Sequence, residues 1–309
     1  MNTGVVAQPI LSICIPTFNR AEYLKKSLDS LVCQEPIESE EIEIVISDNC
    51  STDETNMIGM QYSKEFSNIK YFRNDTNYGI INGVKAISRG TGLLRKISND
   101  TVVYSPDSLR YMINAVKSHM QEQPVMFFLS RYITRGQVDK IGVDSLDDFL
   151  RCVGKDITWL RGMCVWEKDC KYLPVMEANL ASHIPQVPLI LKMMNERKKA
   201  VVCCKPIMDV QEVEKKDVSY NIFDVFYNKY LGFIKMEEDK NCIEHQTYEY
   251  LKRDVLFTFF VYWIATLKKR PDSFMTAGEN LKVLVEEAYR EEEYFEHYLE
   301  VLESRMKTV

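Results

Sequence analysis

Asp48, Asp53 and Asp100 stand in short polar motifs that each follow a run of apolar residues, a placement suited to holding a nucleotide. In chain order the motifs are Ile13-Cys14-Ile15-Pro16-Thr17-Phe18-Asn19-Arg20, Ile46-Ser47-Asp48-Asn49-Cys50-Ser51-Thr52-Asp53, Asn77-Tyr78-Gly79 and Ser98-Asn99-Asp100. Where parallel strands end along one sheet edge, such groups converge on the crevice in which ligands of open α/β sheets bind. A base edge, a ribose diol and a diphosphate call for carboxylates or amides, hydroxyl acceptors, and cationic or amide donors. Asp48 at a strand end can accept from a base N–H or a ribose hydroxyl, with Asp53 close by on the same loop. Pro16, Thr17, Asn19 and Arg20 offer backbone and side-chain groups to the ribose and phosphates. At Asn77 and Gly79 the chain turns, and glycine permits close backbone approach. Plainer roles compete: Asp48 as a satisfied loop carboxylate, Asn19 and Asp53 as helix caps.

The elements that must hold these groups follow from the apolar pattern. Leu11–Ile15 reads as a strand buried on both faces and ended by Pro16. Asn19 and Glu22 are spaced as a capping box for a helix whose apolar stripe is Leu24, Leu28 and Leu31. Ile42–Ile46 is a second buried strand, followed by a helix from about Glu54 to Phe66. Ile69–Arg73 is a third, with a helix over about Ile80–Arg89. Leu93–Ile97 is a fourth strand, in which Arg95 and Lys96 occupy central positions; a buried cation must be paired or directed at an anion. Pro106 opens a further helix, and Val125–Leu129 reads as another strand. Alternation of strand and helix with right-handed crossovers gives an open α/β sheet. Residues 139–206 are less regular, with short helices near Leu146–Val153 and Val187–Arg197 and a strand at Ala200–Cys204. Beyond Asp217 the composition turns to helix formers, with amphipathic stretches at 220–235, 247–269 and 277–306.

Composition narrows the class. The 309 residues carry a net charge of −6 and are 46% hydrophobic, so a folded domain is expected and a general nucleic-acid footprint is not. Nine cysteines without a Cys-x-x-Cys pair suggest neither a disulfide framework nor a zinc site, but a reducing cytosol. The stretch before Pro9 lacks the basic flank and apolar run of a signal peptide. Val255–Leu267, flanked by basic residues, falls short of the roughly 20 apolar residues a spanning helix needs. It reads as a core helix or as a contact with a membrane surface or membrane-bound partner. The four histidines show no metal-ligand spacing.

LSICIPTFNRAEYLKKSLDSL, EIVISDNCSTDET and IKYFRNDTNYGI resemble the N-terminal half of family 2 glycosyltransferases, nearest the abequosyltransferase-like bacterial group that builds surface polysaccharides. The resemblance is dense from residue 10 to about residue 115 and weak beyond. It implies a GT-A (Rossmann-like) α/β fold, an open mixed sheet flanked by helices, over residues 1–215, with a C-terminal helical appendage over 216–309. The implied activity is inverting transfer of a sugar from a nucleotide-sugar donor to a lipid-linked or other glycan acceptor. It further implies a cytoplasmic enzyme, in peripheral membrane contact or as a homo-oligomer, and a divalent cation, Mn²⁺ or Mg²⁺, on the diphosphate. Family members usually end the fourth strand in two or three aspartates, whereas this chain has Ser98-Asn99-Asp100. Three readings stay open: Asp100 holds a metal with Ser98 or Asn99 and the diphosphate; Lys96 or Arg95 takes over part of its charge; or the chain is a catalytically impaired nucleotide-binding scaffold. The family's usual Glu-Asp base pair is absent, which leaves Glu177, His183 and Asp169 as candidate bases. Trp159 and Arg161 match the acceptor-side segment, with core packing the competing role for Trp159. A nucleotidyltransferase would show a glycine-rich basic N-terminal loop, and none occurs here.

Overall fold

In the computed structural model, which describes residues 8–133, 136–212, 220–269, 275–276 and 281–308, strand and helix alternate through the first third of the chain. Strand β1 (Leu11–Thr17) leads to α1 (Ala21–Val32), β2 (Ile42–Asp48) to α2 (Thr55–Glu65), and β3 (Ile69–Arg73) to α3 (Ile81–Arg89). Next come β4 (Leu94–Ile97), the short β5 (Val102–Tyr104) and α4 (Ser108–Lys117). β1 runs parallel to β2 on one side and β4 on the other, with Thr17 opposite Asp48 and Cys14 opposite Ile97. The loops after β1, β2 and β4 therefore open along one edge. Alternate side chains separate the two faces. Ile13, Ile15, Ile44 and Ile46 pack with Leu24, Leu28 and Leu31 of α1, while Cys14 and Val45 meet Ala86 of α3.

Past α4 the order departs from a single open sheet. β6 (Val125–Phe128), β7 (Lys140–Val143), α5 (Leu146–Val153), β8 (Cys164–Trp166), α6 (Leu173–Ala178), α7 (Gln186–Arg197), β9 (Ala200–Cys203) and β10 (Met208–Val210) follow in turn. β8 joins the first sheet antiparallel to β4, which gives the order β3-β2-β1-β4-β8. β6, expected in that sheet, instead forms a second sheet of order β6-β9-β7, joined to the first by a single bridge between Phe127 and Met163. β8 is three residues long, and its place is set by pairing with β4 rather than by a pattern of its own.

The C-terminal helices begin after β11 (Tyr220–Asn221), which pairs in parallel over two residues with β12 (Met275–Thr276), a strand that follows the first of these helices. A π-helical stretch, Asp224–Tyr230, runs into α8 (Leu231–Asp239), and α9 (His245–Asp254) continues through a second, Val255–Phe260, into α10 (Val261–Lys269). Instead of one helix over 277–306 there are two, α11 (Leu281–Tyr289) and α12 (Phe295–Thr308). Val255, Leu256, Phe260 and Val261 are buried, and no helix among the described residues is long and apolar enough to cross a membrane. Ile222, Tyr230, Leu251 and Tyr298 share one apolar core with Phe127, Phe149, Val187 and Val202 of the α/β part. The expected boundary near residue 215 lies outside the described residues.

Three local expectations are corrected by hydrogen bonding. β1 does not stop at Pro16: it continues to Thr17, whose carbonyl accepts from Asn49 N at 2.9 Å. The helix after Pro106 starts at Ser108, behind Asp107 at φ 62°. Asn19 does not cap α1. It sits at φ 49°, and its Oδ1 accepts from Thr52 N at 2.7 Å, lacing the first loop to the second. The cap comes from Asp53, whose Oδ2 accepts from Ala21 N at 3.1 Å while Oδ1 accepts from Thr55 N at 3.0 Å, so one carboxylate starts both α1 and α2.

Burial pushes the Asp53 carboxyl up, but its bonds from Thr55 and Ala21 outweigh this and hold it below the ordinary range. A depressed carboxyl adds stability above its unfolded value, near 3.9, and loses it as pH falls through the folded value. Asp53→Ala is therefore expected to lower unfolding free energy at pH 7 by about 1–2 kcal/mol, a typical cost of a lost cap. Urea melts of both proteins at pH 7 and pH 3 should show that difference shrinking in acid.

Candidate functional site

Where β1, β2 and β4 end, a cavity of about 570 Å³ opens, a size typical of small-molecule sites. Its walls come from Pro16 and Thr17 at the end of β1, Phe18 and Arg20 after it, Asn49 after β2, Asn77, Gly79 and Ile80 before α3, and Asn82 and Gly83 in the first turn of α3. Asn99 and Asp100 line it after β4, and Leu160 faces them from the second half of the chain. Asp100 is the only carboxylate and Arg20 the only cation in this wall among the described residues. Thr17 Oγ1 donates to Asp100 Oδ2 at 2.9 Å and Arg20 Nη1 to Oδ1 at 3.0 Å. Asp100 is 3% exposed, and burial holds its carboxyl above the ordinary range against the pull of Arg20 and Thr17.

Asp48 and Asp53 act one layer back. Asp48 has no exposed surface: Oδ1 accepts from Ser51 N at 2.9 Å, and Oδ2 from Tyr71 Oη at 2.6 Å and Arg73 Nη1 at 3.0 Å. Its acceptor capacity is used in fixing the loop, so the residue that reaches the cavity is its neighbour Asn49. Asn49 Nδ2 donates to Asn77 Oδ1 at 2.6 Å and Gly79 O at 3.3 Å, while its Oδ1 accepts from Asn74 Nδ2 and Tyr78 N, both at 2.9 Å. Asn74 Nδ2 also donates to Asn82 Oδ1 at 2.9 Å, and Arg89 braces the set through Ser47 Oγ at 2.6 Å and Asn74 Oδ1 at 2.7 Å. The rim at Gly79, with φ 59°, is thus held by amides from two other segments. Sequence reading passed over Phe18, Asn49, Ile80, Asn82, Gly83 and Leu160. The signal for Asn82 and Gly83 was their place at the head of a helix directly after the Asn-x-Gly turn, whereas Leu160 carries none.

The remaining candidates are not gathered into this wall. Lys96 is fully buried: Nζ donates to Arg161 O at 2.6 Å and Ile97 O at 3.2 Å, and lies 5.8 Å from the Tyr104 ring centroid. It links the strand that precedes Asp100 to the turn that carries Leu160, and does not line the cavity. Arg95 points elsewhere too, toward Gly92 O, Ile87 O and Glu167. Asp169 is buried and clamped by Arg197, with Nε at 3.0 Å and Nη2 at 2.6 Å, so its carboxylate is already engaged. Glu177 is exposed on α6. His183 is exposed at φ 63° just before α7, with its ring stacked on Tyr220 at 5.8 Å. The Arg161 guanidinium lies 4.2 Å from the Trp159 ring centroid, beside Leu160. Gln186, at the head of α7, donates to Thr158 O and so ties the His183 turn to that segment.

Residues 12–142 match the family described as Glycosyl transferase family 2. The chain is 46% identical over 71 residues to abequosyltransferase RfbV of Salmonella typhimurium, a match covering 23% of this chain and 21% of that protein. It is 31% identical over 114 residues to a GalNAc(5)-diNAcBac-PP-undecaprenol beta-1,3-glucosyltransferase of Campylobacter jejuni, covering 37% and 34%. The matches thus span between a fifth and about a third of those relatives' lengths. Among solved structures, S. aureus TarS 1-349 in complex with UDP-GlcNAc superposes with a TM-score of 0.58 at 18% identity, covering 96% of this chain and 89% of that one. A mannosyltransferase, PcManGT from Pyrobaculum calidifontis, solved with GDP-Man and Mn²⁺, gives 0.52 at 12% identity, covering 97% and 87%. Residues 12–142 are thus similar to family 2 glycosyltransferases, and the fold is the GT-A fold of those solved neighbours.

The cation that this family implies can be tested against the donor set. No group of three or more His, Cys, Asp and Glu able to hold a metal occurs among the described residues. A hard cation that keeps substrate phosphates as ligands needs only one or two protein carboxylates, however. Asp100 supplies one, buried and bridged to Arg20, with Asn99 in the same wall. The set fits a Mg²⁺ or Mn²⁺ ion that takes most of its ligands from a bound phosphate group and water.

Burial lowers the Lys96 ammonium to about 8, opposed by nearby Cys164. Between that value and an unfolded value near 10.4 the unfolded chain holds more protons, so this lysine favours folding more as pH rises. Relative to Lys96→Met, the unaltered chain should gain stability from pH 8 to pH 9.5, on the order of 1 kcal/mol per unit, read from paired urea melts.

Proposed function

We propose that the chain is an inverting glycosyltransferase that moves a sugar from a nucleotide-sugar donor to a glycan acceptor, lipid-linked or free, in bacterial surface-polysaccharide synthesis. The observation that carries this reading is the cavity at the carboxyl edge of β1, β2 and β4, with Asp100 and Arg20 facing it inside a family 2 domain. The names of the relatives support it, as do the UDP-GlcNAc and GDP-Man in the two solved neighbours.

In this reading the base and ribose lie between the Pro16–Phe18 loop and the Asn77–Ile80 rim, while the diphosphate reaches Arg20 and Asp100. A divalent cation at Asp100 would neutralise the departing nucleoside diphosphate. Asn19, Asp48 and Asp53 serve by fixing the loops. The acceptor's hydroxyl oxygen bonds to the anomeric carbon from the face opposite the leaving group, the bond to the diphosphate oxygen breaks, and the hydroxyl proton passes to a base. Of the three candidates, His183 suits that base best. Asp169 is spent on Arg197, whereas the His183 ring nitrogens have no hydrogen-bond partner among the described residues, and a free imidazole nitrogen can take up a proton. A non-glycine residue held at positive φ is also a recurrent mark of functional turns. Trp159 and Arg161 offer the acceptor an aromatic face and a cation on the adjoining turn.

Calorimetric titration with UDP, GDP, dTDP and CDP, each with Mn²⁺ and with EDTA, should show one nucleotide bound far more tightly with metal, and Asp100→Asn should abolish that difference. His183→Ala should cut kcat by about 10²–10⁴ with nucleotide affinity nearly unchanged. Binding of no nucleotide would overturn the donor site, and nucleotide binding without turnover on any lipid-linked or oligosaccharide acceptor would favour a scaffold role.

A further inference from the structure

Arg20 and Asp100 face the cavity as a pair of very different stiffness. Asp100 is held on one oxygen by Thr17, a residue of β1 itself, and its side chain is 4% exposed. On the other oxygen it is held by Arg20 alone, whose side chain is 32% exposed and makes no other hydrogen bond among the described residues. The backbone of Arg20 is fixed, since its N–H donates to Thr55 Oγ1 at 3.1 Å and its carbonyl accepts from Leu24 N at 2.9 Å at the start of α1. The side chain can therefore swing from a stationary pivot, and most of its guanidinium N–H groups are free to meet an anion.

Charge balance shows what such a swing would accomplish. Before a donor arrives, the one cation and one carboxylate of the wall cancel. A dication on Asp100 would then sit against the guanidinium, and like charges in such proximity repel. A donor diphosphate brings roughly one negative charge per phosphate. With it, Arg20, Asp100 and a divalent cation sum to zero; with the diphosphate but no divalent cation, the site is left with surplus negative charge beside a buried carboxylate, which is costly.

We propose that Arg20 and the divalent cation are alternating partners of Asp100: without donor the guanidinium closes on the carboxylate, and the donor's diphosphate draws Arg20 onto itself, freeing Asp100 for the cation. The proposal rests on the donor-site reading above and extends it to the order of binding, in which the metal enters with the nucleotide and not ahead of it. Arg20 is then a gatekeeper of the metal position as well as a phosphate ligand.

Electron paramagnetic resonance of free Mn²⁺ at pH 8 tests this on the full chain, without and with whichever nucleoside diphosphate the unaltered chain binds. The unaltered chain should hold Mn²⁺ at least about tenfold more tightly with nucleotide than without. Arg20→Gln should tighten nucleotide-free Mn²⁺ binding by about fivefold or more, while weakening the nucleotide, so that the two Mn²⁺ affinities converge. Arg20→Lys, which keeps the charge but not the fork, should fall between them and serves if the glutamine variant folds poorly by circular dichroism. Asp100→Asn should lose Mn²⁺ in both states. If nucleotide binding persists but nucleotide-free Mn²⁺ affinity is the same with glutamine or lysine as with Arg20, the exchange is overturned and the donor site stands. If the unaltered chain binds no nucleoside diphosphate at all, both fall.

Discussion

A carboxylate with no exposed surface, Asp48, sets the terms for the cavity edge. Buried charge is tolerated only when its acceptor capacity is met. Here Ser51 N, Tyr71 and Arg73 meet it, drawn from the loop that follows β2 and from the neighbouring strand β3. Once that loop is fixed, Ser51 Oγ receives Asn19 N, Thr52 N reaches Asn19 Oδ1, and Asp53 takes the first N–H groups of α1 and α2. The loops after β1 and β2 thus form one hydrogen-bonded body, and Arg20 projects from it over Asp100.

The amide network at the other rim obeys the same constraint with uncharged groups. Asn49, Asn74, Asn77 and Asn82 satisfy one another and the backbone, so the turn at Gly79 is held without placing a second carboxylate in the cavity. This leaves the wall electrically spare, with a single cation and a single anion among the described residues.

The first half of the fold was legible because its signals are local. Continuous apolar runs give β1 and β2, and Leu24, Leu28 and Leu31 give α1 its buried stripe. The polar residues at or soon after strand ends, Thr17, Arg20, Asn77, Asn99 and Asp100, fall in the cavity wall by topology alone. What was not legible depends on partners far along the chain. That Asp53 caps α1 from 32 residues away, that Asp48 is consumed by Arg73, and that Lys96 turns toward the Arg161 carbonyl are decided by packing, not by spacing. β8 and the separate placement of β6 were missed for the same reason: strands of three or four residues have too little pattern to reveal a partner.

Four short strands serve two cores at once. In β4, β6, β8 and β9, Ile97, Phe127, Val165 and Val202 belong to the core shared with the C-terminal helices, whereas Leu94, Phe128, Trp166 and Cys203 belong to the core beneath β1 and β2. These strands act as a common plate with a body bolted to each side. Asp100 follows one of them directly, and the turn bearing Leu160 enters another, so the gap across the cavity is gauged by the thickness of packing on both faces. A methyl group added or removed deep among the C-terminal helices would be transmitted as a change of gauge on the Leu160 side of the cavity, far from the residues that line it.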